Sequence, residues 1–138
     1  MKWILVIVVG LAVAGGGVLW GKGLLKPSVV HLLHRPPKPV LVTLPSITSN
    51  IATQSGENFA EVTITVKLAD KADAKLFAQD TDEVQSAVIT ELRGETMADL
   101  QGSAAVATLG KAVGQIVDRV LNQPDAVQGV YFTKFLVQ

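Results

Sequence analysis

Eight consecutive residues, Glu61-Val62-Thr63-Ile64-Thr65-Val66-Lys67-Leu68, alternate polar and apolar without an exception. Successive side chains of a β-strand point to opposite faces, so this segment demands a sheet with one buried face and one wet face. Its β-branched content strengthens the reading. Upstream, Leu44–Ile51 reads as a strand, and Gln54-Ser55-Gly56-Glu57-Asn58 as the turn that joins the two into a hairpin.

The middle of the chain changes period. Asp80-Thr81-Asp82-Glu83 offers cap residues and first-turn acids, which complement the positive N-terminal end of a helix dipole. Val84, Val88, Ile89 and Leu92 then recur on one face, and Arg93-Gly94 suits the C-terminal end. A short turn over Thr96–Leu100 leads to a longer helix from Ser103 to Asn122, whose apolar stripe is Val106, Leu109, Val113, Ile116, Val117, Val120 and Leu121. Gly110 and Gly114 each weaken that helix by about 1 kcal/mol relative to Ala, and they leave room for close packing against a sheet. Asp70, Lys71, Asp73 and Lys75 alternate in sign, as a solvated loop or helix face does.

The run Val130-Tyr131-Phe132-Thr133-Lys134-Phe135-Leu136-Val137-Gln138 is β-branched or aromatic at almost every step, and no polar tail follows. An apolar terminal stretch predicts a strand tied into a sheet, because untied ends fray. Strict alternation would put Tyr131, Thr133, Phe135 and Val137 on one face and Val130, Phe132, Lys134 and Leu136 on the other. A strand apolar on both faces should be covered on both, by the long helix and by a neighbouring subunit. The fold class expected is α+β, in the order strand–strand–helix–helix–strand, behind an N-terminal transmembrane helix.

That helix is predicted from Trp3 to Trp20, an uncharged run of 18 residues, WILVIVVGLAVAGGGVLW, flanked by Lys2 and Lys22. At about 1.5 Å per residue it reaches close to the roughly 30 Å hydrocarbon thickness, with a tryptophan at each headgroup layer. Ala12-Val13-Ala14 before three glycines leaves a cleaved signal peptide as the alternative, although apolarity continues through Val18-Leu19-Trp20. The organisation expected is an anchor over residues 1–25, a basic Pro-rich linker over 26–45, and a folded domain over 46–138. Within the anchor, Gly10, Ala14, Gly17 and Gly21 form a candidate helix-association face of small residues.

The formal net charge of zero conceals a separation. Residues 1–39 hold five basic and no acidic residues, while 40–138 carry a net charge of −5. The basic stretch suits anionic headgroups, and the acidic domain disfavours nucleic acid. The basic flank after the anchor mildly favours a cytoplasmic domain, whereas short N-terminal anchors often place the amine inside.

Little chemistry is available. There is no cysteine, and the two histidines, His31 and His34, stand in the connector just before Pro36 and Pro37. Two ligands do not fill a structural zinc site. Asp80, Asp82 and Glu83 are accounted for by the helix start they occupy. No catalytic residue, cofactor or metal is expected, and the protein is not expected to be an enzyme.

The whole resembles the FliL family of flagellar basal-body-associated membrane proteins. The features that carry the resemblance are the single anchor, the segment Leu44-Pro45-Ser46-Ile47-Thr48-Ser49-Asn50-Ile51, and the alternating strand Ala60–Leu68. The turn Thr96-Met97-Ala98-Asp99-Leu100-Gln101-Gly102 follows the same pattern. Most specific is the closing motif, matched by Val130, Tyr131, Phe132, Thr133, Phe135 and Gln138. One departure is the stretch Ser103–Gly114, which is small and apolar where family members commonly carry charge; it points to deeper burial or to a neighbouring subunit. The resemblance implies a stomatin/prohibitin-like (SPFH-like) domain outside the cytoplasmic membrane. It further implies a non-enzymatic motor accessory that forms rings around the stator, the MotA/MotB complex, and supports torque or swarming. A general stomatin-like membrane scaffold, and a secreted binding domain after cleavage at Ala14, are the alternatives.

Overall fold

The computed structural model describes residues 36–53 and 58–138, of which Pro37–Gln138 cohere as one unit. The transmembrane run, the small-residue face Gly10, Ala14, Gly17 and Gly21, both histidines, and most of the predicted hairpin turn lie outside the described residues. Among the described residues no helix is long and apolar enough to cross a membrane.

The alternating segment behaves as its pattern demands. Strand β3, Phe59–Leu68, is the centre of an antiparallel sheet, and Ala60, Val62, Ile64, Val66 and Leu68 are all fully buried. Strand β2, Ile47–Asn50, pairs with its first half, Ile47 facing Val62 and Asn50 facing Phe59. That is the expected hairpin partner, shorter than expected.

An additional strand, β1, Val40–Thr43, pairs with the second half of β3, Val40 facing Leu68 and Thr43 facing Thr65. It lies inside the stretch expected to be linker, so the sheet begins before residue 46. Since β4, Val127–Val137, runs along the whole of β3, β1 and β2 share the opposite edge end to end. They are separated by Leu44-Pro45-Ser46, because proline has no N–H to give the ladder. The ladder reaches as far as Leu44, whose N–H donates to the Ile64 carbonyl at 2.9 Å.

Four helices are described between β3 and β4, two more than expected. Helix α1, Lys71–Gln79, occupies the charge-alternating stretch. Asp70 caps it, its carboxylate accepting from the Ala72 and Asp73 N–H groups at 2.8 and 3.0 Å. Helix α2, Thr81–Gly94, buries Val84, Val88 and Leu92 as its stripe requires. Asp80, expected as its cap, makes no side-chain cap bond there. Helix α3, Met97–Gln101, replaces the expected turn, and helix α4, Ala105–Leu121, is the long helix.

All four helices lie on one face of the sheet, with α2 over β2 and α4 over β4. Helix α4 buries Ala105, Leu109, Val113, Ile116, Val117 and Leu121. Val106, expected on that stripe, is 46% exposed instead. The helix ends at Asn122, whose φ of 51° is left-handed, a conformation that a short polar side chain tolerates. The Asp118 carboxylate then accepts from the Val127 N–H at 2.9 Å and ties α4 to the start of β4.

Gly110 and Gly114 do face the sheet, but close approach does not require them. A Cβ at either position would meet its nearest side chain, Phe132 or Val127, at 3.6 Å, an ordinary contact. Gly110→Ala and Gly114→Ala should therefore each raise stability by up to about 1 kcal/mol, read as a shift in the denaturation midpoint.

Candidate interaction surface

Strand β4 carries the closing motif, and its geometry departs from simple alternation. The register with β3 slips between Thr63 and Ile64 and again between Lys67 and Leu68. Lys134 faces Thr63 and Phe132 faces Ile64, so Thr133 is an extra residue in a bulge, with its hydroxyl donating to the Thr63 carbonyl at 3.3 Å. Gln128 is the extra residue at the second slip, where Gly129 faces Lys67 and Val127 faces Leu68.

Each bulge resets which side chains point inward. The residues packed on the core are Val127, Val130, Phe132, Phe135 and Val137. Phe132 and Phe135, which alternation assigns to opposite faces, meet edge to face with centroids 5.5 Å apart. Tyr131, Lys134 and Leu136 stand on the outer face. The long helix covers the inner face as expected, and among the described residues no layer lies over the outer one.

The outer face is mixed in character. Leu41 is 65% exposed and Tyr131 51%. With Pro39, Thr65, Lys67 and Thr133 they line a shallow depression of about 520 Å³. Tyr131 leans back over its own strand: a Cβ on Gly129 would stand 2.9 Å from the tyrosine hydroxyl, so Gly129 gives the ring its place. Further along, Lys134 Nζ donates to Glu61 Oε1 at 2.6 Å, and Ser46 donates to the same oxygen at 3.1 Å. The bond from Lys134 first, then that from Ser46, holds the Glu61 carboxyl below its ordinary value.

The Thr96–Gly102 segment of the resemblance has a structural account. The Thr96 side chain accepts from the Asp99 N–H at 3.2 Å, and the Asp99 carboxylate accepts from the Thr96 N–H at 3.0 Å, a reciprocal capping box. The Thr96 hydroxyl also donates to the Asp99 carboxylate, and that bond first, then the one from the Thr96 N–H, holds the Asp99 carboxyl below its ordinary value. Leu100 buries its side chain beneath, and the Ala52 N–H donates to the Glu95 carbonyl at 2.8 Å, fastening this corner to the end of β2. Glu95 itself is raised by burial, with Asp99 and Glu91 adding to the effect.

A second concavity, of about 700 Å³, runs between α4 and the first residues of β4. Val106, Gly110, Gly114 and Gln115 line it along the helix, and Val127–Val130 along the strand. The sequence stripe gave no sign of it, because Val106 fits the apolar period as well as a buried residue does.

Asp82 and Glu83 are exposed in the first turn of α2. Among the described residues no group of three or more His, Cys, Asp or Glu side chains is placed to hold a metal ion. The described surface presents an apolar and threonine-rich sheet face, an open strand edge and a groove beside it.

The family model described as flagellar basal body-associated protein FliL matches residues 41–138. That span contains all but the first residue of the sheet and every described helix. No curated protein sequence matches the chain.

Proposed function

Because the chain belongs to the FliL family of flagellar basal body-associated proteins, we propose that it is a non-enzymatic accessory of the flagellar motor that associates with the MotA/MotB stator. The family match across residues 41–138 carries this reading. A basal body-associated accessory acts beside the membrane, and the uncharged run Trp3–Trp20 supplies a single anchor for the inner membrane. The domain stands outside the cytoplasm, has an SPFH-like fold, and self-associates as a ring around its partners. An exposed Leu41 and Tyr131 on an uncovered sheet face support a role in contact rather than in chemistry.

The reading is tested by deleting the gene. Filaments should still assemble while swimming or swarming falls, and expression of the intact chain should restore it. Unchanged motility in the deletion strain would remove the motor from the reading.

A further inference from the structure

Charge divides this domain by layer. The helices and the turns around them hold ten acidic residues, from Asp70 to Asp125, against five basic ones. The four strands hold one acidic residue, Glu61, against Lys67 and Lys134, and Glu61 is bonded to Lys134. Among the described residues Lys67 makes no ion pair. Because all four helices lie on the inner side of the sheet, the two sides of the domain differ in sign.

The outer face adds apolar surface to its positive charge. Leu41, Tyr131 and Leu136 are three of the four exposed large hydrophobic residues among the described ones, and all three stand there. Leu41 pairs with Lys67, and Thr65 pairs with Thr43 on one side and Tyr131 on the other, so leucine, lysine and tyrosine form one patch. Pro39 lines the same depression, and Lys38 precedes it. The chain therefore enters the domain beside this patch, out of a stretch, residues 1–39, that has five basic residues and no acidic one.

We propose that the outer face of the sheet lies on an anionic lipid surface, with Lys38 and Lys67 among the headgroups and Leu41 and Tyr131 at their apolar boundary. The proposal rests on the membrane anchor in the reading above and goes beyond it. The anchor holds the chain to a bilayer, whereas this contact fixes which side of the folded domain meets it.

Charge selects both the surface and the side. Anionic headgroups attract the lysine-bearing face and repel the acidic helix layer, so one orientation is favoured. Lysine stems and tyrosine rings suit a headgroup layer, being apolar along their length and polar at the tip. A second copy packed face to face would set Lys67 against a face with no free carboxylate, because Lys134 already holds Glu61. The contact need not be strong. A tether keeps the domain at high effective concentration near the bilayer, so an affinity too weak to hold a free domain still orients a tethered one.

The chain has no cysteine, so single introduced thiols can carry a fluorophore. Full-length Thr43→Cys, labelled on the outer face, is compared with Glu83→Cys, labelled on the exposed first turn of α2. Each is reconstituted into vesicles of phosphatidylcholine and phosphatidylglycerol, about two to one, that include a headgroup nitroxide as quencher. The label at residue 43 should be quenched and the label at residue 83 spared. Adding Lys38→Glu and Lys67→Glu to Thr43→Cys should lower the ratio of quenched to unquenched label about fivefold for each lysine. Vesicles of phosphatidylcholine alone should remove most of the difference between the two sites, an arm that needs no further substitution. Melting curves matching that of the parent confirm that the outer-face substitutions leave the fold intact. Equal quenching at both sites, in vesicles with which the full chain floats, overturns the proposal and leaves the anchor standing. Undiminished quenching without phosphatidylglycerol overturns the assignment to anionic lipid. Quenching that is lost as the ratio of protein to lipid rises gives the face to a second copy and overturns the proposal too. A full-length chain that does not float with the vesicles overturns the anchor and the proposal together.

Discussion

A chain that stops at Thr133 will not fold. Removing Lys134–Gln138 deletes the partners of Ala60, Glu61, Val62 and Thr63 on β3, leaving that half of the central strand with β2 alone beside it. The hydrogen-bonded pair between Phe59 and Gln138, at 2.8 and 3.0 Å, goes too. On the inner face Phe135 and Val137 leave the core, and Phe132 loses its ring partner. Truncating a buried Phe alone costs about 3–5 kcal/mol, and opening Ala60 and Val62 to water adds to it. Domains of this size are stable by only about 5–15 kcal/mol. The expected result is loss of the cooperative thermal transition and rapid proteolysis of residues 37–133. A truncated chain that melts cooperatively near the temperature of the parent would show that β4 closes the sheet with its first half alone.

Ile64→Ala should destabilise the domain by about 2–5 kcal/mol, with Thr63→Ala, one residue away, costing less than about 1 kcal/mol. Ile64 is fully buried at the middle of β3, with β4 on one side and the Leu44 N–H bonded to its carbonyl on the other. The helix layer is rigidly packed over that point, so the cavity left by three methyl-sized groups has little room to collapse. The Thr63 side chain stands on the outer face, and the Thr63 carbonyl accepts from the Thr133 hydroxyl. Denaturant midpoints of the two variants measure the difference. Equal costs would mean that the outer face is covered in the folded protein as the inner one is.

The contrast between β3 and β4 explains how much of the fold could be read in advance. In β3 polar and apolar residues alternate, so one register alone buries all the apolar ones, and both edges of the strand are paired. In β4 nearly every residue is acceptable on either face, so the residues themselves do not choose. The bulges at Thr133 and Gln128 choose instead, and a bulge is a property of two strands in register, invisible in one strand's composition.

Other misreadings have similar causes. Strand β1 hides among Pro36, Pro37 and Pro39, and it is a strand because β3 extends beyond β2 and offers Thr65–Leu68 for pairing. Helix α1 buries only Phe77, too little for a visible stripe; the Asp70 cap and the contacts of α1 with its neighbours hold it in place. Helix α4 was legible in extent, yet the side on which Val106 falls depends on how far the helix overhangs the sheet edge. The closing motif was legible as a family signature, but which of its residues is a surface residue was not.

The residues by themselves determined that β3 is a half-buried strand, that two amphipathic helices follow it, and that the chain closes on a strand. They did so because periodicity, turn chemistry and β-branching act over a few neighbouring residues. Tertiary structure alone decided that Tyr131 and Leu136 face outward while Phe132 and Phe135 share the core, that Pro45 spoils one sheet edge, and that the other stands open beside a groove. Those outcomes depend on register between strands far apart in sequence, where the free energy of burial is settled by the partner and not by the residue itself.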